Sequence, residues 1–333
     1  MDYKKIIIEE LTILKKKEQQ DGNIFKVKAY KNAITSIESL DKVSSIEDLE
    51  GVKGIGKSIK EKIIEIFETG KLEETKDLKE QFKGSNVVEQ LMNVYGIGRV
   101  KANKLKREGI TSIEDLRKKS EEDPKLLNKN QKVGLLHYED LLLRIPRNEM
   151  EKHEKKIFKL LSQVSPSLEG VIVGSYRRGL ESSGDIDVLI KGSNSASFAE
   201  GKKTLKKIVE YMIEKKYVTD VLVQGDKKFM GVSKISKDGK ARRLDILLTP
   251  EKEFGFAVLY FTGSDRFNVA LRSVALKKGY SMNEHGFTPK EGVEPAPELK
   301  TEEEILNFLG FNMIEPKLRV DETILDKNKI KSS

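Results

Sequence analysis

Residues 171–190 read VIVGSYRRGLESSGDIDVLI: an apolar run, a Gly-Ser turn carrying two arginines, a second turn of Ser182, Ser183 and Gly184, then Asp185-Ile186-Asp187-Val188-Leu189-Ile190. Short apolar runs bounded by glycine and serine read as buried strands, which predicts strands over 171–175 and 185–190. Side chains along a strand alternate between faces. Asp185 and Asp187 therefore project together from one face, while Ile186 and Val188 pack on the other. A third carboxylate, Asp245, sits in Arg243-Leu244-Asp245-Ile246-Leu247-Leu248, another predicted strand and an apolar setting where a lone charge is expensive.

Three acidic groups converging without histidine or cysteine suit hard cations that want oxygen ligands, above all Mg2+. Two such ions a few ångströms apart would clamp an in-line phosphoryl displacement. One would lower the pKa of an attacking hydroxyl, and the other would neutralise a triphosphate and its leaving group. Asp185 and Asp187 would bridge both ions; Asp245 would bind the one that activates the hydroxyl. The Gly174-Ser175 turn and Arg178 would hold phosphate oxygens, to which the guanidinium fork is matched. A D-x-D pair alone is commonplace and usually means solvated or capping carboxylates. With Gly174-Ser175 upstream and a third aspartate in an apolar strand, the pattern becomes specific.

Outward from this stretch the chain divides into an all-helical half and an α+β half. Residues 1–80 place apolar side chains at three- and four-residue spacing, as in Ile6, Leu11 and Leu14 and again Ile59, Ile63 and Ile66, with Gly22 and Gly70 as punctuation. The helical pattern continues over 81–143 and closes at Arg144-Ile145-Pro146. Beyond it, 200–216 reads as a lysine-rich amphipathic helix, 254–280 mixes aromatic residues, glycines and a helical stretch, and 302–309 is a short helix. The tail DKNKIKSS reads as disordered. One internal repeat stands out: VKGIGKSIKEKI from Val52 and VYGIGRVKANKL from Val94. Each places a Gly-Ile-Gly hairpin (Gly54 and Gly56, Gly96 and Gly98) before a basic helix, so that backbone N–H groups at a helix N-terminus face an approaching anion. A lone G-x-G is usually only a turn. Two copies with apolar flanks point to paired helix-hairpin-helix modules gripping DNA phosphates, which position a duplex without reading its sequence.

Composition agrees. Lys and Arg number 62 against 54 Asp and Glu, and the net charge is +8, a surplus that suits a polyanionic partner, although a lysine-rich surface can also simply be solvated. The absence of cysteine excludes disulfides, thiolate metal sites and a cysteine nucleophile. His137, His153 and His285 fit no metal-ligand spacing. The opening MDYKKIIIEELTILKKK has an apolar run of only three, so neither a secretory signal nor a membrane span is expected and an intracellular protein is.

Taken together, GSYRRG, SSGDID, both glycine hairpins, RIP at 144–146, KFMGV at 228–232 and YFTGSDRFN at 260–268 followed by Arg272 resemble the family X DNA polymerases, most closely the polymerase beta type, from Phe25 to about Leu318. The resemblance implies a lyase-like helical domain over 1–80 and a helical DNA-binding subdomain over 81–143. A nucleotidyltransferase palm with a mixed sheet would follow over 144–250, and a small α+β nucleotide-selection subdomain over 251–333. It implies two Mg2+ ions, which Mn2+ can replace, dNTPs, and gapped or nicked duplex DNA. It also implies a monomer with DNA ligase or other repair proteins as partners, nuclear if eukaryotic and otherwise in the cytoplasm or a viral compartment. Tyr260, Phe261 and Gly263 would line the sugar pocket, Asp265 and Asn268 would contact the incoming base, and Arg272 the template minor groove. Arg243 would approach the primer end, Arg144 and Ser175 the triphosphate, and Gly184 its backbone. The hairpins, through Gly54, Gly56, Gly96 and Gly98, would hold DNA phosphates and could bind Na+ or K+ through the backbone of Val52, Ile55, Met92, Val94 and Ile97.

In the helical domain the resemblance makes Lys62 the Schiff-base lysine of a 5′-deoxyribose phosphate lyase, among Lys57 and Lys60 and with Lys26, Tyr30 and Glu61 also matching. The residues alone would favour a solvated or phosphate-contacting lysine. Departures fall here: Ser58 and Glu74 stand where the family has lysines of the 5′-phosphate pocket, and Phe25 where it has a histidine, which weakens the expected phosphate binding. Leu247 replaces an arginine that engages an active-site aspartate, and Val269 a lysine near the templating base, both bearing on closure. The short connection from Ser233 to Arg242 and the Tyr260-Phe261 pair favour template-directed synthesis over terminal transfer, and the length leaves no room for appended domains. Two rival readings are a different nucleotidyltransferase, RNA-tailing or antibiotic-modifying, and a non-catalytic DNA-binding adaptor. The paired hairpins and the YFTGSD run weigh against the first, the three carboxylates against the second.

Overall fold

The computed structural model describes residues 2–38, 40, 42–192 and 198–330. They form two compact units, Met1–Asn93 with Ile97–Asp123, and Val94–Gly96 with Pro124–Ser333. The first unit is helical throughout. Helices Lys4–Gln20, Ile24–Glu38 and Lys57–Thr69 bury Ile7, Leu11, Leu14, Tyr30, Ala33, Ile37, Ile59, Ile63 and Ile66 in one core, the stripe that three- and four-residue spacing puts on one side of each helix. Gly70 caps the third helix in the left-handed conformation. Helix Lys76–Met92 runs unbroken through position 80, and Arg99–Arg107 and Ile113–Glu122 complete the unit.

The second unit is built on a five-stranded mixed sheet in the order Glu169–Ile172, Ile186–Gly192, Arg242–Pro250, Lys228–Ser233, Val218–Gln224. Only the pair Ile186–Gly192 and Arg242–Pro250 is parallel. Alternation along these two strands sorts the sheet's faces. Ile186, Val188 and Ile190 turn with Leu244, Ile246 and Leu248 into a core with Ile157, Leu161, Leu205, Ile208 and Met212 from helices Arg147–Val164 and Phe198–Glu214. On the opposite face, Leu189 and Leu247 pack with Val173, Ala257, Val258 and Phe261. Helix Glu251–Thr262 thus covers one end of that face and leaves the end bearing Asp187 and Asp245 uncovered.

Three expectations change. The first predicted strand stops at Ile172, and Gly174, at φ +66, starts a helical turn over Gly174–Arg177. The mixed segment 254–280 resolves into two consecutive helices, Glu251–Thr262 and Asp265–Lys277, with Ser264 accepting from the Phe267 N–H at 3.3 Å as the second helix's cap. The tail is ordered as far as it is described: Thr323–Lys327 is helical, Leu325 is buried, Phe311 bridges Lys329, and the Ile330 N–H donates to Gly310 O. A single buried leucine and a backbone bridge outweigh the polar composition; residues 331–333 lie outside the described residues.

His153, fully buried in helix Arg147–Val164, shares a 2.8 Å hydrogen bond between its Nδ1 and the Tyr217 hydroxyl. Burial pushes its pKa down to about 4 despite Glu149 nearby. A histidine neutral when folded and chargeable when unfolded stabilises fully above its unfolded pKa and loses that contribution as pH falls toward the folded value. Urea melts should therefore show on the order of 3 kcal/mol lost between about pH 6.5 and 4, and His153→Gln should flatten that part of the profile. Equal slopes in the two proteins would assign the acid sensitivity elsewhere.

Candidate active site

The parallel register sets Asp187 directly beside Asp245. Asp185 immediately precedes the Ile186–Gly192 strand, at the same end. Gly174 makes the close approach possible: a Cβ there would lie 3.0 Å from Asp187 Oδ2, and its positive φ independently favours glycine. Burial pushes the Asp187 pKa up to about 6, the Asp245 carboxylate adds to the rise, and Lys228 opposes it. Asp245 is likewise raised by burial, against Arg243 and Lys228. Two neighbouring carboxylates in a low-dielectric setting resist being charged together.

Arg243 is the cation that reaches this cluster. Its Nη2 pairs with Asp185 Oδ2, and its Nε stands 3.7 Å from Asp245 Oδ1. Both that Nε and that Oδ1 are buried without a hydrogen-bond partner. The sequence predicts three convergent carboxylates; the structure brings Asp187 and Asp245 together and ties Asp185 to Arg243. Among the described residues no group of three or more histidine and acidic side chains forms a ready ligand set. The donors nevertheless fit a divalent cation. They are all oxygen, and one buried carboxylate oxygen has nothing to accept from.

Beside the aspartates a cleft of about 360 Å³ is lined by Gly174, Arg178, Tyr260, Phe261, Gly263, Asp265, Asn268, Val269 and Arg272. The local backbone explains the gathering. Only Gly263 and Ser264 separate helix Glu251–Thr262 from helix Asp265–Lys277, so both termini open on the same space. Tyr260 and Phe261 meet edge to face at 5.2 Å, and Asn268 Nδ2 donates to Tyr260 O at 2.7 Å. Arg178 donates to Thr262 O at 2.5 Å, and Ser175 Oγ to Ser183 Oγ at 3.0 Å. Arg144 is turned onto Ser182, donating to its Oγ and its carbonyl at 2.7 Å each. A side chain at Gly184 would meet open space.

Sequence reasoning missed a network behind the cleft. Arg177 donates to Glu302 through both terminal nitrogens, at 3.0 and 2.6 Å, and to Thr262 Oγ1 at 2.8 Å. Arg319, fully buried, donates to Glu302 at 2.6 Å and to Ile314 O at 2.9 Å. Burial would raise the Glu302 pKa, but the two arginines win and hold it below the ordinary glutamate value. The network ties the Gly174–Arg177 turn to the end of helix Glu251–Thr262. Arg177 could have been suspected from its place in GSYRRG. Glu302 and Arg319 carry no local signal.

At the glycine hairpins, Gly54 and Gly96 have positive φ, and Gly56 and Gly98 are extended N-caps of helices Lys57–Thr69 and Arg99–Arg107. A Cβ at Gly54 would lie 3.3 Å from the Asn32 backbone, so the hairpin needs glycine for space as well as for φ. Lys57 and Ser58 line a groove with Gly54, Gly56 and Asn32, and Phe25 is almost fully exposed. Lys62 pairs with Glu74, and Lys26 with Glu18 at 2.9 Å.

Four family models match in succession: a helix-hairpin-helix domain over 4–72, the fingers domain of DNA polymerase lambda over 89–142, the DNA polymerase beta palm over 144–251 and the DNA polymerase beta thumb over 257–320. The chain is 32% identical to DNA polymerase lambda of Rattus norvegicus over 96% of its own length and 56% of the relative's. It is 30% identical to DNA polymerase lambda of Arabidopsis thaliana, over 87% and 57%. A DNA nucleotidylexotransferase of Xenopus laevis matches at 27% identity, over 95% of this chain and 68% of that one. The chain thus spans little more than half the length of the two lambda relatives.

Glu302→Ala leaves Arg319 buried without its counter-ion. Chemical denaturation should show a loss of about 3–5 kcal/mol. A loss under about 1 kcal/mol would mean that this network does not hold the subdomain.

Proposed function

Because the chain belongs to the family X DNA polymerases, we propose that it fills short gaps in duplex DNA by template-directed addition of deoxynucleotides to a primer 3′ hydroxyl. The observation that carries this reading is the Asp187–Asp245 register at the uncovered end of the sheet, with a buried, unpartnered Asp245 oxygen. Asp185, Asp187 and Asp245 would hold two Mg2+ ions, which when bound supply the charge that activates the hydroxyl and neutralises the triphosphate. Gly174 keeps the backbone clear of Asp187, so that carboxylate stays open toward the cleft. Arg178, anchored on Thr262, would meet the triphosphate with its remaining donors. Tyr260 and Phe261 would wall the sugar, and Asp265 and Asn268 the base. Asp245, beside the ion that activates the 3′ hydroxyl, would be placed to accept its proton.

The glycine hairpins would hold backbone phosphates on either side of a gap, with Na+ or K+ at their carbonyls. Lys62 would attack the aldehyde of an abasic 5′ sugar, giving the protein a lyase step alongside synthesis. Such a protein would act with a ligase and other repair factors, in the nucleus where the cell has one. No helix among the described residues is long and apolar enough to cross a membrane.

Asp245→Ala should abolish extension of a one-nucleotide-gapped duplex, while binding of the same duplex in an anisotropy titration changes little. Retained extension would remove the proposed metal site. With a 5′-deoxyribose phosphate end, borohydride should trap a covalent adduct that Lys62→Ala largely loses. Undiminished trapping would point to another lysine as the nucleophile.

A further inference from the structure

The aromatic side chain at the tip of the second glycine hairpin has no role in the reading above. Val94–Gly96 belongs to the unit built on the sheet, and several contacts seat it there. Gln131, buried, uses its amide in two directions. Its Oε1 accepts from the Asn128 N–H at 3.1 Å to cap helix Lys129–Leu136, and its Nε2 donates to Gly96 O at 2.9 Å. Gly134 on the same helix admits the hairpin backbone, because a Cβ there would lie 2.6 Å from Tyr95 O. The Tyr95 ring packs with Val133 and Met230 against buried Leu222, Val232 and Ala241, and its hydroxyl stands 4.0 Å from Met230 Sδ. Met230 lies opposite Asp245 in the antiparallel register, and Asp245 opposite Asp187 in the parallel one. Directly paired residues share a face of the sheet. Met230 and the two aspartates therefore form one row, with Tyr95 packed on its end. Burial raises the Tyr95 pKa and the Asp245 charge adds to the rise, which agrees with this proximity. On the aspartate face, helix Glu251–Thr262 packs on Leu189 and Leu247, and the hairpin tip packs on Met230.

We propose that Tyr95 is a positioning residue: its ring sets the separation between Gly96, with the DNA phosphate held there, and the strand that faces Asp245. The inference rests on the polymerase reading above, in which the hairpin clamps phosphate and Asp245 serves the chemistry. Backbone N–H groups give the hairpin its grip, so the ring adds nothing to the bond with DNA. What it adds is a fixed distance. Without the ring, Gly96 stays tied to Gln131, but the hairpin tip loses its packing on Met230. A primer end carried about 1 Å out of line can cost on the order of a hundredfold in rate. The ring matters rather than the hydroxyl, because a 4.0 Å approach to sulfur contributes little beyond packing.

The test is single-turnover extension of a one-nucleotide-gapped duplex, with binding of the same duplex followed by anisotropy. Tyr95→Ala should slow extension at saturating dNTP roughly tenfold or more, while the duplex dissociation constant changes less than about twofold. Tyr95→Phe should restore the wild-type rate. Leu222→Ala controls for stability alone: it empties the same apolar cluster from the neighbouring strand Val218–Gln224. It should lower the melting temperature without slowing extension more than about twofold. If Tyr95→Ala melts below the assay temperature, Tyr95→Leu carries the same expectation. An unchanged rate in the Tyr95 variant, or an equal slowing in Leu222→Ala, would overturn the proposal. So would a loss of duplex binding that matches the loss of rate, which would make the ring part of the grip. A Tyr95→Phe chain as slow as Tyr95→Ala would move the role to the hydroxyl and overturn it as well. If the wild-type chain itself fails to extend the duplex, the polymerase reading falls and takes this one with it.

Discussion

The single parallel pairing in the sheet, Ile186–Gly192 against Arg242–Pro250, is the constraint on which the site depends. Strand register is a whole-number choice, and a slip of one residue would send every side chain of that strand to the other face. Here the core decides it. Ile186, Val188 and Ile190 must be buried together with Leu244, Ile246 and Leu248, and burying each such side chain is worth about 1.5–3 kcal/mol. That gain far exceeds what two raised aspartates cost. The chain thus forces Asp187 and Asp245 side by side as a consequence of packing six apolar residues, and their shared reluctance to ionise is what a divalent cation would relieve.

The same alternation explains why the acidic end is open and the other end closed. On the aspartate face the next inward positions are Leu189 and Leu247, which recruit helix Glu251–Thr262 through Ala257, Val258 and Phe261. That helix ends at Gly263, level with the Gly174–Arg177 turn, and the Arg178 bond to Thr262 O joins the two. An arginine at 247 would have placed a charge in this apolar contact. Leucine there strengthens the contact and leaves Arg243 as the guanidinium ion-paired with the aspartates.

How much of this was legible follows from which interactions are local. The D-x-D alternation, the apolar strands, the glycine hairpins and the helix Glu302–Leu309 each announce themselves within a dozen residues, because periodicity and turn chemistry are short-range. The strand expected over 171–175 stops at Ile172 because Gly174 adopts a positive φ, which an apolar run ending in glycine does not reveal in sequence. Tail order depended on Leu325 and a bridge to Phe311, and the Glu302 network on partners at Arg177 and Arg319; neither leaves a local trace. Tyr260, Phe261 and Asn268 carry no local sign of a cleft; only family resemblance suggested one, and the structure gathers them around it.

Electrostatics separates the two units in the same way. Beside the aspartates, negative charge is buried, and burial raises both pKa values. Around Lys62 the ammonium groups of Lys17, Lys26 and Lys62 face the carboxylates of Glu18 and Glu74 in partly exposed pairs. Those charges are answered within the chain. In the aspartate cluster Arg243 pairs with Asp185, and a buried carboxylate oxygen of Asp245 is still without a donor. A divalent cation would complete the sheet-borne cluster, whereas the Lys62 cluster is already paired.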